Sequence, residues 1–436
     1  MMAGTATPLV LAGLPILGAA AGVVVWSNPR ALKNWLTTVS LISLAAVVGL
    51  SGSLSVPAEG LLPAFLLPIA ACASLLGQPV QKDHRLSWIM TVLFLGLGLS
   101  ILTGPVLLAH VCSILMLGLA VVLLYRHHTQ LWPISWWGIG GYGLATLCVA
   151  ISVVAGPPLS ALASLVACAI LLPLVPFHDG YVTALTRLPG SLPSFIVLLF
   201  PVIGLHGLAT VLPTVPAVVA STVGVFALVG ALYGAIKALA QSRARLVLSY
   251  GSLSFVSLLW WFAATTRSAT PRAALFVGTI GLATSGLLLA WQVIRTRYGD
   301  DVDPHSISGL AATMPRYAVL LSLLALAAMG LPPFGLFAGF MGLLLSPALP
   351  FSSATFVVVA AWLAASWYIM GMVQQWLFGT RRTDLRYADL LPGEWAALAI
   401  LVGVLVALGM VPLDLVGTGT LAMTTDTIVD ALAWNR

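Results

Sequence analysis

Charge is what this 436-residue sequence has least of: 18 Lys and Arg with 12 Asp and Glu make up only 7% of it. A soluble domain carries roughly 25%. So few charges cannot cover a water-facing surface of ordinary size, which excludes a soluble enzyme, a secreted disulfide scaffold and a disordered regulator. Cysteine is also scarce. Cys72, Cys112, Cys148 and Cys168 each sit in an apolar run without C-x-x-C spacing, and read as buried thiols rather than a metal site or disulfide. A phosphate-binding loop, a dinucleotide turn, a cysteine cluster and a haem-type histidine pair are missing as well. The expectation is a chain with no cofactor, no metal and no catalytic centre of its own.

What is present is apolar: 60% of the residues, with 41 Gly and 27 Pro suited to close-packed and kinked spans. The class implied is an all-α polytopic membrane protein. A span needs about 20 apolar residues. Fourteen are read near 8–26, 35–52, 60–77, 86–103, 105–125, 134–155, 158–175, 190–212, 216–240, 244–265, 273–294, 315–345, 354–378 and 393–413. The start lacks a basic region, so the first run reads as a retained span rather than a cleaved signal. One transmembrane domain is expected over 1–436, with helices one to three in 1–82, a first repeat in 83–212, a second in 213–380 and the last helix and tail in 381–436.

The net charge of +6 would suggest nucleic acid for a soluble protein, but here it follows from loop bias. Connections after odd-numbered spans hold Arg30, Lys33, Lys82, Arg85, Arg126, Arg187, Arg243, Arg245, Arg295, Arg297, Arg316, Arg381, Arg382 and Arg386, with Lys237 at the inner end of span nine. Those after even-numbered spans hold only Arg267 and Arg272. One missed span would invert every later loop, so the alternation tests the count. It predicts a multi-pass protein of a bacterial-type inner membrane with both termini outside.

Two spans are interrupted in a comparable way: span seven at Pro173 and Pro176, just before Phe177-His178, and span twelve at Gly330-Leu-Pro332-Pro333-Phe334-Gly335. Proline removes a backbone donor and frees a carbonyl, which membrane depth tolerates only against protein or trapped water. Paired breaks point to two inverted five-helix repeats around a central pathway; an ordinary proline kink is the alternative for either alone.

At these residues the sequence resembles the antiporter-like membrane subunits of respiratory complex I, of Mrp cation/proton antiporters and of membrane-bound group 4 hydrogenases, from about span four to span thirteen. The resemblance rests on Leu172-Pro-Leu-Val-Pro-Phe-His178, Ser191-Leu-Pro193 through Gly204-Leu-His-Gly207, Ala231-Leu-Tyr-Gly234, Arg245-Leu-Val-Leu-Ser-Tyr250, Gly309-Leu and Met314-Pro315. The stretch Gly330-Leu-Pro-Pro-Phe-Gly-Leu-Phe337 looks most like the hydrogenase branch. The family commonly adds a long lateral helix after its fourteenth, whereas about twenty residues follow here, an expected tail too short to strap neighbours.

The resemblance implies proton transfer through buried ionisable groups: a glutamate in helix five, lysines in helices seven and eight, and a lysine or glutamate in helix twelve. Carried over residue by residue, these positions fall on His110, Leu171, Val202 and Phe340. Neither Lys nor Glu survives at any of them. His110, read as mid-span, is either a proton relay or a packing histidine. His206, one turn beyond Val202, is open to the same two readings, and His178 matches the family's histidine at the break. Lys237 and Arg245 read as snorkelling inner-end cations or as parts of a path. Ser249, Tyr250 and Ser252 suit either water or interhelical hydrogen bonds. His84, His127, His128 and His305 read as solvated loop residues, and the pairs Trp136-Trp137 and Trp260-Trp261 as interfacial belts.

Two functions follow. One is a scaffold subunit of a complex I-like or hydrogenase-like assembly whose channel has degenerated. The other is an active translocating subunit re-routed through His110, His178 and His206 and coupled to a redox or inorganic-carbon-uptake partner. An unrelated solute transporter is a third reading that the ordered motifs disfavour. Expected partners are other membrane subunits, a cytoplasmic catalytic subunit and lipid, and no nucleic acid.

Overall fold

The computed structural model describes residues 3–53, 58–126, 136–298, 307–346, 349, 352–379 and 388–410. Its helices are α1 (Ala3–Gly22), α2 (Pro29–Leu50), α3 (Ala58–Leu76), α4 (Arg85–Thr103), α5 (Val106–Arg126), α6 (Trp136–Val154), α7 (Leu159–Leu171), α8 (Asp179–Arg187) and α9 (Leu192–Val211). They continue as α10 (Ala217–Leu239), α11 (Ala244–Thr266), α12 (Pro271–Tyr298), α13 (Leu310–Thr313), α14 (Pro315–Ala328), α15 (Gly335–Leu344), α16 (Ser353–Leu377) and α17 (Pro392–Met410). No strand occurs among the described residues.

Among the described residues, eleven helices are long and apolar enough to cross a membrane. To these α3 adds the apolar stretch Gly60–Leu76, and two spans are each split between helices, α7 with α8 and α14 with α15. The polytopic all-α class and both expected breaks are therefore observed. One element escaped hydropathy. Asp179–Arg187 forms α8, the second half of span seven; it is too short and polar to score as a span yet buries Tyr181, Val182, Ala184 and Leu185.

Helix ends follow local chemistry. Asn28 Oδ1 accepts from the Arg30 and Ala31 amides at 3.1 and 3.3 Å, and Pro29 opens α2 where a missing N–H costs nothing. Ser352 and Thr355 form a reciprocal capping box on α16. Inside the spans, several hydroxyls bond a carbonyl one turn back on their own helix: Ser40 bonds Leu36 O, Thr91 bonds Ser87 O and Thr279 bonds Leu275 O.

The core is built around α12, whose residues from Ala273 to Ile294 are all buried, with α3, α9, α11, α14, α15 and α17 packed on it. Glycine sets the closest approaches. A Cβ at Gly204 would lie 2.5 Å from Leu172 N, and one at Gly234 2.8 Å from Tyr250 O, so both family-like glycine motifs serve helix packing. All four cysteines are buried. On α6, Gly138 packs on Thr183, whereas Gly140, Gly141 and Gly143 meet nothing within 4 Å.

The tryptophan expectation needs correction. Trp260 and Trp261 are buried in α11 at 0% and 7% exposure, because α11 is enclosed by its neighbours almost throughout, whereas Trp137 (81%) faces outward. His84 is half-buried, with Nδ1 3.5 Å from Pro79 O and its ring against Trp88. His127, His128, His305, Arg381, Arg382, Arg386 and the tail from 411 onward lie outside the described residues.

Candidate functional site

The two breaks are the places where membrane-depth backbone leaves helical geometry. In span seven, α7 stops at Leu171, and the chain runs through Pro173 and Pro176 before α8 begins at Asp179. The Leu172 carbonyl accepts from Trp260 Nε1 at 2.8 Å. Beyond it, Pro176 and Phe177 are exposed while His178 is buried. In span twelve, α14 stops at Ala328 and α15 starts at Gly335. There the Met329 carbonyl accepts from Trp362 Nε1 at 2.9 Å. This second break lies under α17, so closely that a Cβ on Gly409 would stand 1.9 Å from Pro333 O.

The ionisable residues gather at the first break. His178 Nε2 stands 3.6 Å from Asp179 Oδ1. The His178 ring centroid is 5.2 Å from that of Tyr233 on α10 and 6.3 Å from that of Tyr250 on α11. Lys237 Nζ lies over the Tyr233 ring, 5.7 Å from its centroid. Lys237 is exposed, as the snorkelling reading expects, and the Asp179 side chain is 47% exposed. His178 and Lys237 are thus brought together through Tyr233, a grouping their spacing did not reveal.

The other two histidines lie elsewhere. His110 is four residues from the start of α5, not mid-span, half-buried, with Nδ1 2.7 Å from the Val106 carbonyl of its own helix. α5 is a full 21-residue span that starts at Val106, so His110, at its fifth position, lies about one turn from that end. His206 is half-buried, five residues from the end of α9. By alternation of spans, these two helix ends share one face of the bundle, and His178 lies toward the other.

The other three positions that the resemblance singled out are packed. Leu171 is 4%, Val202 1% and Phe340 3% exposed. Leu171 and Leu172 press against Gly204, and the Phe340 ring is 4.7 Å from Trp362 and 6.1 Å from Phe276. Between α11, α12 and α16 lies a cavity of about 20 Å³, lined by Ser252, Thr284 and Tyr368 among apolar side chains, room for a single water. Ser252 is also tied to the Tyr181 hydroxyl of α8, and Ser249 Oγ bonds Arg245 O at 2.6 Å.

Arg245 turns inward rather than snorkelling. It donates to Thr186 O at 3.0 Å, capping the last turn of α8, and to Gln292 Oε1 at 3.3 Å on α12. Arg297, counted from sequence as a loop cation, is instead half of a buried pair. Its Nη2 reaches Glu394 Oε2 at 2.6 Å and its Nη1 reaches Oε1 at 3.2 Å, with the two side chains 9% and 3% exposed. It also donates to Val293 O, Ala388 O and Asp389 O, while the Asp389 carboxylate caps α14 at the Arg316 and Tyr317 amides. No sequence pattern signals this clasp, whose carboxylate and guanidinium are 97 residues apart.

Residues 108–368, more than half of the chain, match the model of the NADH:quinone oxidoreductase/Mrp antiporter transmembrane family. The chain belongs to that family. This antiporter-like subunit is 33% identical to NADH-quinone oxidoreductase subunit N of Syntrophotalea carbinolica over 218 residues, a match spanning 46% of the chain and only 44% of that relative. Its fold resembles a chain of respiratory complex I from Thermus thermophilus with bound NADH (TM-score 0.76, 20% identity, covering 92% of this chain and 95% of that one). It also resembles one of the Mrp complex from Dietzia sp. (0.78, 17%, 94% and 95%). A third is a chain of an archaeal membrane-bound sulfane sulfur reductase (0.78, 15%, 93% and 76%). The antiporter-like subunit is thus a multi-pass membrane protein of a family whose members sit in multisubunit membrane complexes.

Proposed function

We propose that this antiporter-like subunit is a membrane scaffold in a complex I-like, Mrp-like or hydrogenase-like assembly, with its own central ion path closed. The observation that carries the reading is the packing of Leu171, Val202 and Phe340, each at most 4% exposed, at the three positions where the family resemblance implies buried Lys or Glu. A proton cannot be held where no side chain titrates and no room exists for a hydrated one. The role left is to join neighbouring membrane subunits and a cytoplasmic catalytic subunit, in a bacterial-type inner membrane with both termini outside and lipid on the remaining faces.

A re-routed relay is the second reading, favoured by one group: His178 with Asp179, Tyr233, Tyr250 and Lys237 keeps titratable side chains at the first break. Against it, His110 and His206 lie toward the opposite face from His178. The experiment is proton flux of the reconstituted assembly, normalised to assembled protein, for His110→Gln, His206→Gln and the double variant. Glutamine keeps hydrogen bonding but cannot titrate. Removing a true relay lowers flux by about 10²–10⁴. The scaffold reading expects flux to be retained, and loss of flux with normal assembly rejects it.

A further inference from the structure

Each broken span contains a carbonyl whose helical donor has been deleted. In a helix, the carbonyl of residue i accepts from the amide of i+4. For Leu172 that residue is Pro176, and for Met329 it is Pro333; neither has an N–H. In both places a tryptophan from another span supplies the missing donor. Trp260 Nε1 of α11 reaches Leu172 O at 2.8 Å, and Trp362 Nε1 of α16 reaches Met329 O at 2.9 Å. Two independent breaks have received the same repair.

The surroundings suit that repair. Trp260 is wholly buried. Trp362 is admitted by Gly330, whose φ of +71° favours glycine and whose Cβ, if present, would lie 2.9 Å from Nε1. The indole face of Trp362 then covers Phe340, one of the replaced channel positions. An indole N–H only donates and does not titrate. Water or a lysine at the same carbonyl would satisfy it equally well while also offering a proton carrier.

We propose that Trp260 and Trp362 are insulating residues: each takes the carbonyl freed by a proline, excludes the water that carbonyl would otherwise recruit, and so keeps its break closed to protons. The proposal deepens the closed-path reading and rests on it. It gives these two indoles the task of holding the path shut, so their loss creates a leak rather than abolishing an activity.

The test uses the full chain with its co-purifying membrane subunits, reconstituted into vesicles. Trp260→Phe, Trp362→Phe and the double variant remove donor and volume together. Replacement of each tryptophan by 3-benzothienylalanine keeps the fused-ring shape and exchanges only the N–H for sulfur. Two readouts are taken: passive proton conductance under an imposed potential, and hydrogen exchange at the Leu174 and Leu331 amides, which flank the two carbonyls and bond Ala169 O and Leu326 O. Exchange at each break is expected to rise by about tenfold or more on loss of its own indole, the shift that an unpaired buried carbonyl drives, and conductance to rise most in the double variant. Unchanged exchange in the assembled benzothienyl variants overturns the proposal. A rise confined to the phenylalanine variants also overturns it, since bulk rather than the donor would then exclude water. If the phenylalanine variants do not assemble, the benzothienyl variants decide alone. Unmodified vesicles that already conduct through this chain overturn the closed-path reading, and do so independently of the exchange result.

Discussion

Replacing Glu394 by Gln probes the clasp between α12 and α17. The substitution keeps size and one acceptor but removes the charge facing Arg297, a guanidinium only 9% exposed. An exposed ion pair contributes about 0.2–1 kcal/mol and is screened by salt. Removing one partner of a buried pair costs about 3–5 kcal/mol. Three carbonyls, Val293, Ala388 and Asp389, still accept from Arg297, which moves this case to about 3 kcal/mol, two powers of ten in the unfolding equilibrium. The converse change, Arg297→Met, is worse at about 4 kcal/mol, because Glu394 is 3% exposed and keeps only the Leu391 amide as a hydrogen-bond donor and the more distant charge of Lys33. The paired change Arg297→Met with Glu394→Leu removes both charges and recovers most of the loss. Thermal unfolding in mild detergent, at low and high salt, reads all three. Wild-type melting of Glu394→Gln, or a paired variant no better than Arg297→Met, refutes the reasoning. So does a loss that vanishes in high salt.

Gly409→Val drives a side chain into the Pro333 carbonyl, so α17 cannot seat on the second break; the expected result is loss of folded, monodisperse protein, measured by fluorescence size-exclusion chromatography, against little effect at Gly403, which meets nothing within 4 Å. For orientation, single cysteines at Asp83 and Ser268 in a chain whose four buried cysteines are retained report on opposite faces. Membrane-impermeant maleimide is expected to label the second from outside and the first only after the membrane is opened, and the reverse pattern sinks the assignment.

The spans were legible because hydrocarbon demands long apolar runs, and the breaks because proline and glycine interrupt them. Partners were not legible, since periodicity reports that a residue is enclosed and never what encloses it. Trp260 illustrates this: a Trp pair near a span end fits an interfacial belt equally well, and only the fold brings its indole to Leu172. Arg297 illustrates it again, because a loop cation and a buried one look alike until Glu394 is placed beside it. At the candidate site, the resemblance singled out Leu171, Val202 and Phe340 from the sequence, whereas the packing of Leu171 on Gly204 and of Phe340 on Phe276 and Trp362 required three other helices.

The dependence of earlier elements on α17 bears on biogenesis. Spans enter the bilayer in order from the ribosome, yet the carboxylate that neutralises Arg297 and the glycine that covers Pro333 both belong to α17, the last of the described helices to be made. Until residue 394 has left the translocon, the nascent chain holds an uncompensated guanidinium on α12 and a bare kink in span twelve. Those two features distinguish an incomplete chain from a finished one, and a single insertion event erases both. Stalled or truncated products therefore differ chemically from finished ones well before any partner subunit arrives.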